Sequence, residues 1–274
     1  MTATMTIAPA SAESTVAEMQ LQDKVAIITG GGSGIGQATA CLFASEGAQV
    51  IIFEIDGPSA AATLSLMKGL HQGSSMLIDV TRPDQVETSM AEVAARFGGL
   101  DILVNVAGGS GRKWGDGPVA DCSLVGWEKT LDLNLNSLFY CCKYALSVMQ
   151  SQNRGAIVTV SSVLGAVGGD EDFATHAYAA SKGAAISLTR SIAAYYAPLG
   201  IRANVILPGL IATPMSKRAQ QSEHIRARLP QLQPLTGDFG SPLDVAQAAV
   251  YLASEAAAFV TGAVLTVDGG WTVR

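Results

Sequence analysis

The chain has 274 residues, 49% hydrophobic and 15% charged, which suits one large α/β domain and excludes a disordered chain. Its net charge of −6, with no lysine or arginine block, excludes a nucleic-acid groove, since phosphate binding draws on clustered basic residues. No run approaches the roughly 18 apolar residues of a membrane span, and the four cysteines, Cys41, Cys122, Cys141 and Cys142, lack metal-ligand spacing, so reduced thiols and no metal site are expected.

Residues 1–20 are rich in Ala, Ser and Thr, without the basic start and apolar core of a secretory signal. They predict a flexible tail on a cytoplasmic protein, ahead of a single domain over 21–274. Within it, a buried strand is predicted at 24–29 (KVAIIT), a helix at 36–47 and a second strand at 49–53 (QVIIF). An Ala-rich helix starts near Pro58, a third strand covers 75–78, and a helix at 84–97 carries Val86, Met90, Val93 and Phe97 on one face. A strand at 100–104 leads to one long helix at 124–150. Then follow a strand at 156–161, a helix at 178–197, a strand at 201–207, a helix at 243–254 and a last strand at 263–267.

Strand and helix alternate throughout, and parallel strands need crossovers that cover the sheet's faces. The fold class expected is therefore α/β, a doubly wound parallel sheet of about seven strands with helices on both sides. The least patterned stretch, 210–240, holds Pro214, Pro230 and Pro234 and is the candidate for a mobile lid.

Thr29-Gly30-Gly31-Gly32-Ser33-Gly34-Ile35-Gly36 joins the first strand to the first helix. Glycine there allows a tight turn and close approach of a pyrophosphate to free N–H groups at the helix's positive end. Gly30, Ser33, Gly34, Ile35 and Gly36 are the candidate contacts. Glu54 ends the second strand, where a carboxylate accepts from the ribose hydroxyls of an adenosine and repels a 2′-phosphate. No basic residue stands beside Glu54, and Ser33 precedes Gly34. These residues select NAD over NADP. Asp79 and Val80, after the third strand, are the adjoining candidates for the adenine.

Further along stand Asn105-Val106-Ala107-Gly108, Asn134, Ser161-Ser162, Tyr178-x-x-x-Lys182, Pro208-Gly209 and Asp268-Gly269-Gly270. In this order, together with the glycine turn, they resemble the short-chain dehydrogenase/reductase family, in its short single-domain branch, over about 21–271. The resemblance implies a seven-stranded Rossmann-type sheet and hydride transfer between NAD and a secondary alcohol or ketone. It also implies a homotetramer packed through the helices at 124–150 and 178–197.

Tyr178 and Lys182, four apart on a helix, project from one face. A free tyrosine titrates near 10 and is a poor base at neutral pH, but a nearby ammonium stabilises phenolate. As in the family, Tyr178 is then the general acid/base, Ser162 holds the reacting oxygen, and Lys182 also holds the nicotinamide ribose. Asn134, rather than Asn136, matches the residue whose bound water links the lysine to solvent. Asn105, Ala107 and Gly108 belong to a motif usually written Asn-Asn-Ala-Gly, with Val106 replacing its second asparagine. Pro208, Gly209, Ile211 and Thr213 match the segment that meets the nicotinamide carboxamide.

The 16 positions from Ser162 to Tyr178 exceed the spacing in many members, the excess falling in Gly168–Phe173. Substrate recognition is expected from 109–117, 164–176 and the lid, with His176 a possible contact. Acidic Asp170, Glu171 and Asp172 oppose basic Arg112 and Lys113 there, so the sequence leaves the substrate's charge open. The alternatives are a 3-oxoacyl-carrier-protein reductase and, from another class, a redox-inactive nucleotide sensor.

Overall fold

The computed structural model describes residues 19–70 and 73–274. The expected tail therefore lies, but for Met19 and Gln20, outside the described residues. Seven strands, β1 (Val25–Thr29), β2 (Gln49–Glu54), β3 (Gly73–Leu77), β4 (Ile102–Asn105), β5 (Gly155–Val160), β6 (Ile201–Pro208) and β7 (Val264–Val267), form one parallel sheet in the order β3-β2-β1-β4-β5-β6-β7. β1 is buried along its whole length, which is why its β-branched run reads so clearly.

Successive side chains of a strand point to opposite faces, and each face has its own core. Ile27, Leu103 and Ile157 pack with Met90 of α3 (Pro83–Phe97), Cys141 and Ala145 of α5 (Ser137–Gln152), and Ile192 of α6 (His176–Tyr196). Ala26, Ile28 and Val158 pack instead with Phe43 of α1 (Gly34–Ser45) and with Val245 and Ala249 of α9 (Pro242–Ala253). The remaining sheet-flanking helix, α2 (Gly57–Leu66), starts on Asp56, whose carboxylate accepts the Ser59 N–H at 3.0 Å. The chain winds outward from β1 in both directions, so a crevice opens beyond the carboxyl ends of β1 and β4.

One expectation is corrected. The single helix at 124–150 is three segments: α4 (Leu124–Leu131), a π-helical turn at Asp132–Asn136, and α5. The extra residue of the π turn carries Asn134 inward, as such bulges do at functional sites. The stretch 210–240, the candidate lid, holds α7 (Lys217–Gln221) and α8 (Glu223–Leu232), with Pro230 inside α8. Ile225, Leu229 and Leu232 lie on one buried stripe, and that stripe outweighs the cost of the proline. Backbone bonds between Ala212 and Gly240, and between Gly240 and Leu210, pin the two ends of this segment together.

Candidate active site

The crevice is a cleft of about 670 Å³ lined by the glycine turn, the ends of the central strands, the start of α6 and the Pro208–Ala219 segment. At its nucleotide end the backbone leaves no room for side chains. A Cβ on Gly36 would stand 2.0 Å from the Gly30 carbonyl oxygen, and one on Gly30 would stand 2.9 Å from the Ala107 Cα. Ser33, the N-cap of α1, makes no side-chain cap hydrogen bond, so the first-turn N–H groups of the helix have no side-chain acceptor from that cap. Those donors and the bare turn fit a pyrophosphate. Gly30, Ser33, Gly34 and Ile35 line the cleft; Gly36 lies behind them, where α1 packs against Gly30 and Gly31 of the turn.

Glu54 also lines the cleft and is half-buried. One carboxylate oxygen accepts the Gly32 N–H at 2.9 Å, and the other accepts those of Ile55 and Asp56 at 2.9 and 3.2 Å. The acid is thus fixed to the turn rather than waving at a strand end. Asp79 and Val80 line the same wall, with Asp79 accepting both the N–H and the hydroxyl of Thr81. The Thr29 hydroxyl accepts the N–H groups of Val106 and Ala107, at 3.1 Å each, holding the end of β4 against the glycine turn. Ala107 and Gly108 line the cleft, as do Pro208, Gly209, Ile211 and Thr213 across from them.

Asn105 departs from expectation. It is buried, does not line the cleft, and its amide Nδ2 donates to the Cys142 Sγ at 3.5 Å. As the last residue of β4, it points into the helix layer and holds α5 to the sheet. Its neighbours Val106 and Ala107 line the cleft instead.

The chemical end is formed by β5 and α6. Tyr178, Lys182 and Ser162 share the cleft wall, with the Lys182 Nζ 5.6 Å from the centre of the Tyr178 ring. Lys182 donates to the Val160 carbonyl at 3.0 Å, and the Ser161 hydroxyl donates to the Lys182 carbonyl at 2.7 Å. Ser161 therefore staples β5 to α6, while the Ser162 oxygen, accepting the Leu164 N–H at 3.1 Å, remains in reach of Tyr178. Burial pushes the Tyr178 phenol up to about 12, and the hydrogen bond with Ser162 pulls the other way. Burial also holds the Lys182 ammonium down, to about 8.

The lysine shift fixes a sign. Free lysine titrates at 10.5, so between about 8 and 10.5 the folded protein loses this proton before the unfolded one, and stability rises with pH. Below about 8 both states are charged and the burial cost is fully present. Lys182→Met is therefore expected to be more stable than wild type near pH 7, by about 1–3 kcal/mol. That margin should shrink towards pH 10. Melting curves at the two pH values check this; a variant that melts lower near pH 7 contradicts it.

Asn134 is buried behind Gly108 and Gly109. Its oxygen accepts the Gly109 N–H at 3.0 Å, and its Nδ2 donates to the carbonyls of Gly109 and Thr130, at 2.9 Å each. Asn136 is exposed and bonded to Asp132, so the two asparagines are cleanly separated. His176 does not line the cleft; its Nδ1 accepts the Val119 N–H at 3.0 Å.

One contributor escaped the sequence reading. Asp116 is buried, and its two oxygens accept the N–H groups of Ala177 and Tyr178, at 2.9 and 3.1 Å. It caps α6 from 61 positions away, which explains why the helix begins at His176. No local pattern signals such a cap. Asp116→Ala leaves two N–H groups unpartnered at the base of Tyr178 and is expected to cost about 1–3 kcal/mol. Denaturant titration measures that loss; unchanged stability would show that the cap contributes nothing.

Comparison with known proteins agrees with this geometry. The family model described as enoyl-(acyl carrier protein) reductase matches residues 30–272. The chain is 40% identical over 250 residues to the cis-4-hydroxycyclohexanecarboxylate dehydrogenase of Sinomonas cyclohexanicum, across 91% of this chain and 97% of that protein. It is 35% identical to the 3-oxoacyl-(acyl-carrier-protein) reductase of Thermotoga maritima, across 93% of this chain and 100% of that one. A short-chain type dehydrogenase/reductase from Mycobacterium ulcerans superposes with a TM-score of 0.87 at 31% identity, over 93% of this chain and 92% of its own. Likeness over nine-tenths of the chain, in residues and in fold alike, makes this protein an oxidoreductase of the short-chain dehydrogenase/reductase family.

Proposed function

We propose that this chain oxidises a secondary alcohol on an alicyclic ring, using NAD, with Tyr178 as the general acid/base. The observation that carries the proposal is the meeting of Ser162, Tyr178 and Lys182 in the same cleft as the bare glycine turn and Glu54. The N-terminal N–H groups of α1 would hold the pyrophosphate, Glu54 the adenosine ribose, Asp79 and Val80 the adenine, and Lys182 the other ribose. Ile211 and Thr213 would hold the carboxamide. When bound, the nicotinamide supplies the acceptor for the hydride.

The chain's own residues handle the proton. Ser162 holds the reacting oxygen beside the Tyr178 hydroxyl. At neutral pH the buried phenol is protonated, which suits donation to a ketone. Removing a proton from an alcohol instead needs a cation near the phenolate, and Lys182, charged at neutral pH, is the one in reach. Asn134 holds the Gly108–Gly109 backbone against the lysine, on the path a relayed proton would take.

The ring assignment is supported by the Sinomonas relative, whose named substrate bears its hydroxyl on a cyclohexane, and by the apolar side chains of Leu164, Phe173 and Leu210 in the cleft. Reduction of an acyl-carrier-protein ketone is the second reading, supported by the Thermotoga relative. Initial rates with NAD and with NADP, on cyclic alcohols, diols, steroids and hydroxy acids, decide between them. Turnover of a cyclic alcohol with NAD supports the first reading; a strong NADP preference with ketoacyl substrates favours the second.

A cytoplasmic homotetramer is part of the proposal. Among the described residues no helix is long and apolar enough to cross a membrane. Leu124, Val125, Phe139 and Tyr195, on α4, α5 and α6, are exposed, and light scattering measures whether they are covered by further copies.

A further inference from the structure

The charges at the cleft mouth sort by partner. Asp170 and Asp172 both pair with Arg228 of α8, and His224 stands 3.4 Å from Asp172. That pairing, led by the hydrogen bond from Arg228, holds the Asp170 carboxyl below the usual carboxylate range. Two of the acids that would repel an anion thus share one cation on the lid, which offsets part of their charge and ties both carboxylates to α8. Besides Lys182, the cations Arg112, Lys113 and Arg218 line the cleft. Lys113 lies over the Trp114 ring, 4.4 Å from its centre.

The two arginines are placed differently. Each sends one guanidinium nitrogen to the same backbone oxygen, that of Asp172, at 3.1 Å from Arg112 and 2.6 Å from Arg218. Neither forms an ion pair among the described residues. Asp116, whose charge acts on Arg112, already has both oxygens on the backbone of α6. Two like charges thus share one neutral acceptor, with most of their five N–H donors each to spare. A carboxylate set against them would relieve the repulsion and accept a bidentate bond. The same cleft supplies Ser162 and Tyr178 for a hydroxyl, and Leu164, Phe173 and Met215 for an apolar ring.

We infer that Arg112 and Arg218 form a carboxylate subsite, so that the substrate is an alicyclic hydroxy acid rather than a neutral alcohol. The subsite deepens the dehydrogenase reading above and rests on it only for the hydroxyl. Calorimetric titration with cyclohexanecarboxylate and with cyclohexanecarboxamide, on the protein alone and with NADH, tests it without turnover. The carboxylate is expected to bind at least about tenfold tighter than the amide; both arginines are solvated, so less is expected than from a buried pair.

Arg112→Gln and Arg218→Gln should each remove most of that advantage while leaving amide binding unchanged. Both side chains are exposed, so the variants are expected to fold. Equal binding of the two ligands, no measurable carboxylate binding, or an advantage that survives both substitutions overturns the subsite. Arginine-dependent carboxylate binding without NAD reduction by any cyclic alcohol would sink the dehydrogenase reading and leave the subsite standing.

Discussion

Replacing Tyr178 with phenylalanine is expected to lower kcat by about 10²–10⁴-fold, the share of a rate that positioned acid–base chemistry supplies. The substitution deletes one oxygen from a ring that stays in place between α6 and the cleft. Cofactor affinity should hardly change, because the turn at Gly30–Gly36 and Glu54 lie elsewhere along the cleft. Steady-state rates together with NADH fluorescence titration separate the two effects. A loss confined to KM would show that Tyr178 binds rather than reacts.

The second large effect is expected at Glu54. Its carboxylate is held by three backbone N–H groups beside the glycine turn, so its charge sits at a fixed place. Glu54→Gln keeps the shape and removes the charge. The preference for NAD over NADP, taken as a ratio of kcat/KM, should fall by about 10–100-fold, as the loss of a charged hydrogen bond and of a like-charge repulsion predicts. An unchanged ratio would place cofactor choice on other residues.

The strands of the sheet were legible because buried strands leave continuous β-branched runs: KVAIIT, QVIIF and IVTV need no partner to be recognised. Tyr178 and Lys182, four apart on one helix, were singled out through the family resemblance, and the fold brings both to the cleft wall beside Ser162. What the sequence withheld depends on tertiary pairing. Nothing near Asp116 announces that it caps α6, and nothing near Asp172 announces that Arg228 pairs with it. The opposing charges around the cleft mouth could not be ranked until their partners were known.

Two other features were hidden for different reasons. No helix was assigned around Pro230, although the buried spacing of Ile225, Leu229 and Leu232 was present in the sequence. Asn105 was placed with the cofactor because its motif is; the pleat of β4 turns its side chain into the helix layer, towards Cys142. Asn134 illustrates the reverse. An asparagine in the middle of a helix signalled a purpose, and the π turn that delivers it is visible only in three dimensions.

The central claim is that a hydride passes between a ring carbon bearing oxygen and the nicotinamide, with Tyr178 handling the proton. A cyclic secondary alcohol carrying deuterium on its carbinol carbon, incubated with NAD and followed by mass spectrometry of the NADH formed, tests it directly. The expected result is one deuterium per NADH with wild type, and a transfer rate at least about a hundredfold lower with Tyr178→Phe. Unlabelled NADH, or label transferred equally fast by the variant, would contradict it.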